Sequence, residues 1–353
     1  MLTENQKKII WEVAARFSAE PPKRRGDPPL RLKGEYGTPE SEDFLARMEQ
    51  TIEEHEINVI FPEDPLFPES LKHIPDPPQV LFYKGNPALM HVPSVAVVGT
   101  RRCSPYGEQA AYEIARAASQ RGLPVISGLA FGIDAAAHRG GLEGGGGSIA
   151  LLPCGLEMCY PRSHEWLLNQ IIKEGLAISE FPPNAQMRKW LFLLRNRLIS
   201  GLAMGTVVVE AAERSGALNT ANHALEQGKD VFAVPGSIFD SRAQGPLGLM
   251  SLGAIPVTST QTVAEYYAPL MEQMTLEEGL PEPLENEMTA DDAAITFAEW
   301  ILRQIHPFGI MAEALMEGAR ERGKTPEELQ RELTSLELNG KIKRGQGGKF
   351  FRI

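Results

Sequence analysis

The sequence predicts an α/β protein with a doubly wound, mostly parallel sheet, a small helical region before it and a separate small domain after it. From residue 93 onward, short runs of Val, Ile, Leu and Ala alternate with segments of helical period. Apolar runs without polar alternation are typical of strands buried on both faces. Alternation of strands with helices favours right-handed crossovers and therefore a parallel sheet.

The first 55 residues predict two helices, at about 3–18 and 40–55, and form an N-terminal region of unclear type. Between them runs the segment EPPKRRGDPPLRLKGEYG, whose Pro, Gly and charged residues are typical of a loop. Its KRR run fits either a contact to phosphate or a solvated linker.

Residues 56–268 are predicted to form the sheet domain. Its strands are expected in SVAVVG, LPVISG, SIALLPCG, LAISEFP, GTVVVEA, DVFAVPG and AIPVTS, with helices in GEQAAYEIARAASQRG and ALNTANHALEQGK. Residues 269–292 predict an acidic linker, since 271–292 carry eight acidic residues and no basic one. Residues 293–353 predict a helix followed by a hairpin, with Thr325, Pro326 and Glu328 in capping positions.

Bulk composition indicates a globular protein of two or three domains, with 353 residues, 42% apolar and 23% charged. No apolar run approaches the roughly 18 residues of a spanning helix, and the N-terminus lacks the shape of a signal peptide. Three cysteines, Cys103, Cys154 and Cys159, form no pairable set and predict a reducing cytoplasm. We interpret Cys154 and Cys159 as packing residues rather than zinc ligands. The net charge of −11 disfavours nucleic acid, but residues 93–268 carry 14 basic and 14 acidic residues.

The most informative turn is GTRRCSPYG, which follows the first strand of the sheet domain at residues 99–107. It lacks the GxGxxG spacing of a dinucleotide site, so no cofactor is expected. Arg101 and Arg102 lie where helix N-termini offer free amide groups, and arginine there suits phosphate. The alternative is that both arginines are simply solvated.

Four later segments also carry polar or aromatic residues. Three are turns at predicted strand ends, with Ser127, Gly128, Phe131, Asp134 and His138; Gly155, Tyr160 and Arg162; and Glu210, Ser215, Gly216 and Thr220. The fourth is a predicted apolar helix with Arg195, Asn196 and Arg197, whose charges must reach a partner or the surface. Asp134 and His138 could form a catalytic pair, but without a nucleophile we favour structural hydrogen bonding.

The carboxyl ends of parallel strands meet at one edge, so these turns should form one rim. Several basic residues on one rim suit repeating phosphates better than a single phosphate. Tyr106, Phe131 and Tyr160 could stack on unpaired bases. The residues alone therefore indicate a site for single-stranded nucleic acid.

In order, VVGTRRCSPYG, VISGLAFGIDAAAHRGGL, SIALLPCGLEMCYP, SEFPP, RNRLISGL, VVVEAAERSGALNTANHALEQGKDVFAVPG and GLMSLGA resemble the DNA-processing protein A family (DprA, also called Smf). The resemblance covers roughly residues 60–268. It implies an extended Rossmann-like domain that binds single-stranded DNA, forms a homodimer and loads the recombinase RecA in natural transformation. It also implies no catalytic activity. The lack of a long apolar run gives no reason to expect a membrane partner.

The resemblance assigns phosphate binding to Gly99, Thr100, Arg101, Ser104, Ser127, Gly128 and Arg162, and it places Arg195, Asn196 and Arg197 near the same groove. From the turns and exposed rings alone, the predicted DNA-binding set also includes Arg102, Tyr106, Phe131, Gly155, Tyr160, Ser215 and Gly216. The sequence departs from the family pattern at Phe131, where Arg is common, at His164, where Asn is usual, and at Leu247, where Asn often stands.

The C-terminal LTSLELNGKIKRGQGGKFFRI resembles the winged-helix module of many family members. A second DNA contact would then fall on Lys341, Lys343, Arg344 and Lys349. A protein-binding or purely structural module is the alternative, and the role of the N-terminal region stays open. The segment GSIFDSRAQGPLGLMSLGAIP and the last strands are our hypothesis for the dimer surface.

Two other functions compete with DNA binding. A phosphoribohydrolase-like enzyme would use a catalytic Glu within PGGxGTxxE, and GLAMGTVVVEAA keeps Gly205, Thr206 and Glu210 but lacks the leading Pro-Gly-Gly. We interpret Glu210 as a structural acceptor at a helix start. A mononucleotide-sensing module is the third hypothesis. Release of adenine from AMP would distinguish the enzyme from the DNA-binding protein.

Overall fold

The computed structural model describes residues 2–18, 36–185 and 188–278, together with part of the C-terminal region. There it describes 297–298, 301, 310–311, 315–316, 319–320, 322, 324–339, 341–344 and 349–352. The chain divides into two compact units, Met1–Leu280 and Pro281–Ile353. No helix among these described residues is long and apolar enough to cross a membrane.

The N-terminal region contains the two predicted helices, α1 (Glu4–Ser18) and α2 (Pro39–Glu54). Thr38 begins α2 as its N-cap and accepts a hydrogen bond from the Ser41 amide. Apolar side chains of both helices belong to the same core cluster as one face of the sheet. The N-terminal region therefore packs as part of the larger unit. Most of the predicted connector, residues 19–35, lies outside the described residues.

The first unit is built on a nine-stranded sheet. Its strands are β1 (Asn58–Ile60), β2 (Leu81–Gly85), β3 (Val95–Val98), β4 (Val125–Ser127), β5 (Ser148–Leu151), β6 (Leu176–Ser179), β7 (Gly205–Val208), β8 (Asp230–Ala233) and β9 (Ile255–Pro256). Their order is β1-β2-β6-β5-β4-β3-β7-β8-β9. Strands β3 to β9 run parallel, and β1 and β2 are antiparallel additions beside β6.

Helices connect these strands and cover the sheet. They are α3 (Glu69–Lys72), α4 (Pro105–Gln120), α5 (Ile133–Glu143), α6 (Glu165–Glu174), α7 (Leu191–Leu202), α8 (Gly216–Glu226), α9 (Gln244–Ser251) and α10 (Thr262–Glu278), with short 3₁₀ turns at Pro87–Met90 and Arg162–His164. Every residue of β3, β4, β5, β6 and β7 is buried. The prediction of a mostly parallel α/β sheet is confirmed, and all seven predicted strands form.

The chain order places a switch point between β3 and β7. From β3 the chain proceeds outward through β4, β5 and β6, then returns to pair β7 with the other side of β3. This reversal of strand order is the position at which doubly wound folds hold ligands.

In the second unit, β10 (Ile310–Met311), β11 (Ile342–Arg344) and β12 (Lys349–Arg352) form an antiparallel sheet in the order β10-β12-β11. Helix α11 (Pro326–Leu338) precedes β11. Thr325 and Glu328 form the predicted capping box, with the Thr325 hydroxyl accepting from the Glu328 amide at 3.2 Å. Of the predicted acidic linker, residues 269–278 belong to α10, and 279–292 lie outside the described residues.

Candidate nucleic-acid interface

The loops after β3, β4 and β5 meet at the carboxyl edge of the sheet, where they form one continuous rim with the start of α7. The Arg101 guanidinium lies over the Phe192 ring at 5.0 Å, and Phe192 packs edge-on against Tyr160 at 5.4 Å between centroids. In the loop after β4, Phe131 packs edge-on against His164 at 4.8 Å. A hydrogen bond of 3.0 Å between His164 Nδ1 and the Leu129 carbonyl connects the loops after β4 and β5.

The rim presents both positive charge and aromatic surface to solvent. Arg101, Arg102 and Arg162 are exposed, and none of them forms an ion pair with a residue that the structure describes. Phe131 is 47% exposed and Tyr160 is 41% exposed. Free guanidinium groups beside exposed rings suit phosphates next to unpaired bases.

Tyr106 lies on the β8 side of this edge. Its hydroxyl donates to the Pro235 carbonyl at 2.9 Å, and its ring is 54% exposed. The hydroxyl is therefore held in place while about half of the residue stays exposed. Ser215 caps α8 by accepting from the Leu218 amide, and Gly216 is exposed beside it.

The RNR motif does not lie on the rim surface, because Arg195, Asn196 and Arg197 are all buried. The Arg195 guanidinium donates to the carbonyls of Gly128 and Leu151. Burial lowers the pKa of Arg195 to about 10. In this structure Arg195 supports the rim from below, and its side chain is not presented to a ligand.

Arg197 joins an ion-pair cluster that is buried at Arg197 and Glu180 and partly exposed at Asp76 and Arg16. Its guanidinium donates to Glu180 at 2.6 Å and to Asp76 at 3.1 Å, and Asp76 also accepts from Arg16 of α1 at 2.7 Å. Burial lowers the pKa of Arg197, but Glu180 and Asp76 raise it above its ordinary value overall. This cluster ties α1, the end of β6 and α7 together.

Asn196 has a similar internal role, since its side-chain amide donates to the Gly216 carbonyl at 3.1 Å and to Asn219 at 3.2 Å. The three residues of the RNR motif are thus placed in the scaffold. The expectation that they contact DNA directly disagrees with their burial, because a charge on an apolar helix must find a partner and these find theirs inside the protein.

Several other predicted binding residues shape the backbone of the rim. Ser127 donates to the Val97 carbonyl at 2.7 Å, and Thr100 donates its amide to the Glu210 carbonyl at 2.7 Å. A side chain at Gly128 would overlap the Arg195 guanidinium, because an added Cβ would lie 2.4 Å from Nη2. Gly99 and Gly155 are equally crowded by their neighbours.

Asp134 and His138 hold the turn that carries Phe131. Asp134 accepts from the amides of Gly128 and Ala130 at 3.2 and 3.3 Å, and His138 Nε2 accepts from the Leu129 amide at 3.2 Å. Leu129 has a positive φ of 59°, so the turn needs this support. Burial lowers the pKa of His138 to about 3, which keeps the ring neutral. Both residues make structural hydrogen bonds as predicted, although these join each of them to the backbone of the turn and not to each other.

Glu210 also has the predicted structural role. Its carboxylate accepts from the amide and hydroxyl of Ser104, the N-cap of α4, at 2.9 and 2.5 Å. Ser104 is therefore engaged within the protein. Among the described residues, no group of three or more His, Cys, Asp or Glu could hold a metal ion. Cys154 packs in the core and Cys159 against it.

Sequence reasoning missed Phe192, which brings Arg101 and Tyr160 together. Phe192 lies inside the apolar run Trp190–Leu194, so it resembled a core residue. The basic pair Arg188-Lys189, directly before that run, was the available signal that this end of the helix reaches the surface.

Comparison with known proteins places these features in context. The model of the family DNA recombination-mediator protein A matches residues 58–268. The DNA processing protein DprA of Bacillus subtilis is 40% identical over 222 residues, which are 63% of this chain and 75% of that protein. Protein Smf of Escherichia coli is 36% identical over 307 residues, covering 84% and 78% of the two chains.

Two solved structures are also similar to this chain. The X-ray structure of DNA processing protein A from Streptococcus pneumoniae has a TM-score of 0.57 at 40% identity, covering 65% of this chain and 83% of that one. The protein from Helicobacter pylori, described for its unique single-stranded DNA binding mode, has a TM-score of 0.55 at 29% identity, covering 62% and 97%.

Proposed function

The chain belongs to the family of DNA recombination-mediator protein A, and from that premise we propose that it binds single-stranded DNA along the rim formed by Arg101, Phe131, Tyr160, Arg162 and Phe192. The observation that carries the proposal is the cluster in which the Arg101 guanidinium lies over Phe192 and Phe192 packs edge-on against Tyr160, with Arg101 and Tyr160 exposed at one edge of the sheet. The similarity to the Helicobacter pylori protein supports it.

The rim suits an extended strand better than a single small ligand. Exposed arginines would hold the backbone, and their contribution would weaken as salt increases. Exposed rings would stack on any base, so sequence preference would be weak. Duplex DNA hides its base faces and should bind this rim less tightly.

A matched pair of variants tests the proposal. Arg101→Ala removes the guanidinium of the rim, and Arg121→Ala removes an exposed arginine at the other end of α4. Fluorescence anisotropy with labelled oligo-dT should show parental affinity for Arg121→Ala and about tenfold weaker binding for Arg101→Ala, or about 1.4 kcal/mol. Equal binding by both variants, or tighter binding of the parent to matched duplex, would contradict the proposal.

The enzyme alternative is not favoured by the geometry. A catalytic carboxylate must reach substrate, but the Glu210 carboxylate is buried and accepts two hydrogen bonds from Ser104. We expect no release of adenine when the protein is incubated with AMP.

We propose that the protein acts in the cytoplasm, delivers bound DNA to the recombinase RecA, and serves natural transformation and recombination. Family membership supports this role. Stimulation of RecA filament assembly on oligo-dT, lost with Arg101→Ala, is the expected result.

The homodimer is proposed to form at the β9 end of the sheet. Phe239 is 93% exposed. Its loop is nevertheless held by two side-chain contacts, since the Gln244 side chain donates to the Ile238 carbonyl at 2.9 Å and Arg242 forms an ion pair with Asp240. Ile238 and Leu252 are exposed as well. Exposed apolar groups of this size mark association surfaces. Sedimentation should show a dimer for the parent and a monomer for Phe239→Glu.

The second unit is proposed to be a winged helix whose hairpin makes a second DNA contact. The three-stranded sheet β10-β12-β11 supports this topology, with β10 before α11 and the β11–β12 hairpin after it. Helix α11 carries four acidic residues, at 327, 328, 332 and 337, against one basic residue, Arg331. A helix of that charge is repelled by a phosphate backbone, so the contact would fall on the exposed Lys341 and Lys343, together with Arg344 of β11 and Lys349 of β12. Weaker duplex binding by Lys341→Ala/Lys343→Ala is the expected result, and unchanged binding would favour a protein partner.

A further inference from the structure

The switch point between β3 and β7 is where a doubly wound sheet ordinarily holds a phosphate. The helix after the first strand, here α4, points its N-terminus at that position and offers free amide groups and a partial positive charge. In this protein a side chain of the chain itself, that of Glu210, occupies the position.

Glu210, which follows β7 directly, places its carboxylate against the first turn of α4. Its oxygens accept from the Ser104 amide at 2.9 Å and from the Ser104 hydroxyl at 2.5 Å. A Cβ added at Gly107 would lie only 2.4 Å from the Glu210 carboxyl carbon, so the fit is close. The first turn has few other donors, since Pro105 has no N–H and the Gly107 amide donates to the Ser104 hydroxyl.

The backbone around Glu210 is fixed on both sides. Its carbonyl accepts from the Thr100 amide at 2.7 Å, which closes the loop after β3 onto β7. The next residue, Ala211, donates to the Arg242 carbonyl at 2.7 Å and accepts from the Gly245 amide at 2.8 Å. The side chain is 5% exposed. The carboxylate therefore has a fixed position in the site.

We propose that Glu210 is an internal anion that occupies the phosphate position of the switch point and so determines specificity against free nucleotides. A mononucleotide carries its charge on one phosphate group, and the position that would bind it tightly holds a carboxylate of the same sign. A strand of DNA spreads its charge over many phosphates and gains its affinity on the rim. This inference rests on the proposed function for the identity of the polymer, but the filled phosphate position does not depend on it.

Removal of the carboxylate should uncover the donors of Ser104. Glu210→Ala and Glu210→Ser leave that space empty, and Glu210→Gln, which keeps the volume, is the matched control. Thermal unfolding of the full chain is followed as inorganic phosphate replaces chloride at constant ionic strength. We expect a saturable rise in Tm for the Ala and Ser variants, as for any ligand that binds only the folded state, and no phosphate-specific rise for the parent or Glu210→Gln.

Binding of AMP gives a second readout, and it should be about tenfold tighter or more for Glu210→Ala than for the parent. Folded variants that respond to phosphate and AMP as the parent does would overturn the proposal. So would variants that stay unfolded even in phosphate, since an anion that restores the missing acceptors should restore the fold.

Oligo-dT binding separates this inference from the proposed function. Glu210→Ala should keep the parental affinity for oligo-dT, because Arg101, Tyr160 and Phe192 are unchanged. If the parent binds oligo-dT but phosphate does not raise the Tm of Glu210→Ala or Glu210→Ser, the proposed role of Glu210 is refuted and the proposed function is not. Absence of oligo-dT binding by the parent, with the phosphate effect present, refutes the proposed function alone.

Discussion

Two arginine-rich segments of this chain resemble each other in sequence and differ completely in environment. Arg101 and Arg102 follow β3 and are exposed at the rim, without ion pairs to described residues. Arg195 and Arg197 lie on α7, each is 4% exposed, and both are bound to carbonyls or carboxylates of the protein.

The difference shows how the site is divided between contact and support. The turn that carries Phe131 is held by Arg195, Asp134 and His138 from beneath. The exposed arginines and rings of the rim are left to meet the ligand. An arginine close to a binding site is therefore not evidence of ligand contact until its own partners are known.

The largest expected effect is a loss of folding stability when an arginine of the buried segment is replaced. Arg197→Ala leaves Glu180 buried without its partner, which should lower the free energy of unfolding by about 3–5 kcal/mol. Arg197→Lys keeps the positive charge but loses the planar guanidinium, so its free energy of unfolding should lie between those of the parent and Arg197→Ala. Urea unfolding measures both, with Arg162→Ala as a surface control expected within about 0.5 kcal/mol of the parent. An Arg197→Ala protein as stable as the parent, but unable to bind oligo-dT, would reverse the assignment.

The next effect is a pH dependence that originates at His138. Burial lowers its folded pKa to about 3, while the unfolded value is near 6.5. Between these values only the unfolded chain binds the proton, so stability falls as pH decreases below about 6.5. At pH 5 the loss should reach about 2 kcal/mol.

Urea unfolding at pH 7.5 and pH 5 checks this assignment with His138→Gln. The variant should be less stable than the parent at pH 7.5, and the difference should shrink by about 2 kcal/mol at pH 5. His55→Gln alters an exposed histidine and should follow the parent at both values. A His138→Gln protein with the parental pH dependence would show that other groups cause the acid sensitivity.

A smaller effect should separate the rings of the rim from its charges. Phe131→Ala or Tyr160→Ala removes a stacking surface, and each should weaken oligo-dT binding by about 1 kcal/mol. The dependence on salt should stay parental, because no charge is lost. Anisotropy titrations across a salt series measure both quantities, with Leu225→Ala on the exposed face of α8 as the control. Parental affinity in both ring variants would exclude stacking at these positions.

Much of the scaffold could be predicted because its signal is local. Runs such as VAVV and SIAL are buried over their whole length. Their burial on both faces could be predicted because apolar and polar residues do not alternate in them. The capping box of Thr325 and Glu328 and the structural role of Glu210 were also predictable, since each depends on residue type at a helix start.

The partners of the RNR motif were not predictable, since they come from distant parts of the chain. Arg197 pairs with Asp76 and Glu180, 121 and 17 residues away. Phe192 was missed for the same reason, because only the fold brings Arg101 to its ring. Charge on an apolar helix signals that a partner exists, but not whether it is a carboxylate of the protein or a phosphate of a ligand.

The most direct test of this division is the salt dependence of oligo-dT binding by the parent and by Arg101→Ala/Arg162→Ala. If the two exposed arginines contact phosphates, the slope of log affinity against log salt should become shallower by about 1.4 in the double variant, or about 0.7 per contact. An unchanged slope would contradict the account, because the exposed arginines of the rim would then not be what holds the DNA.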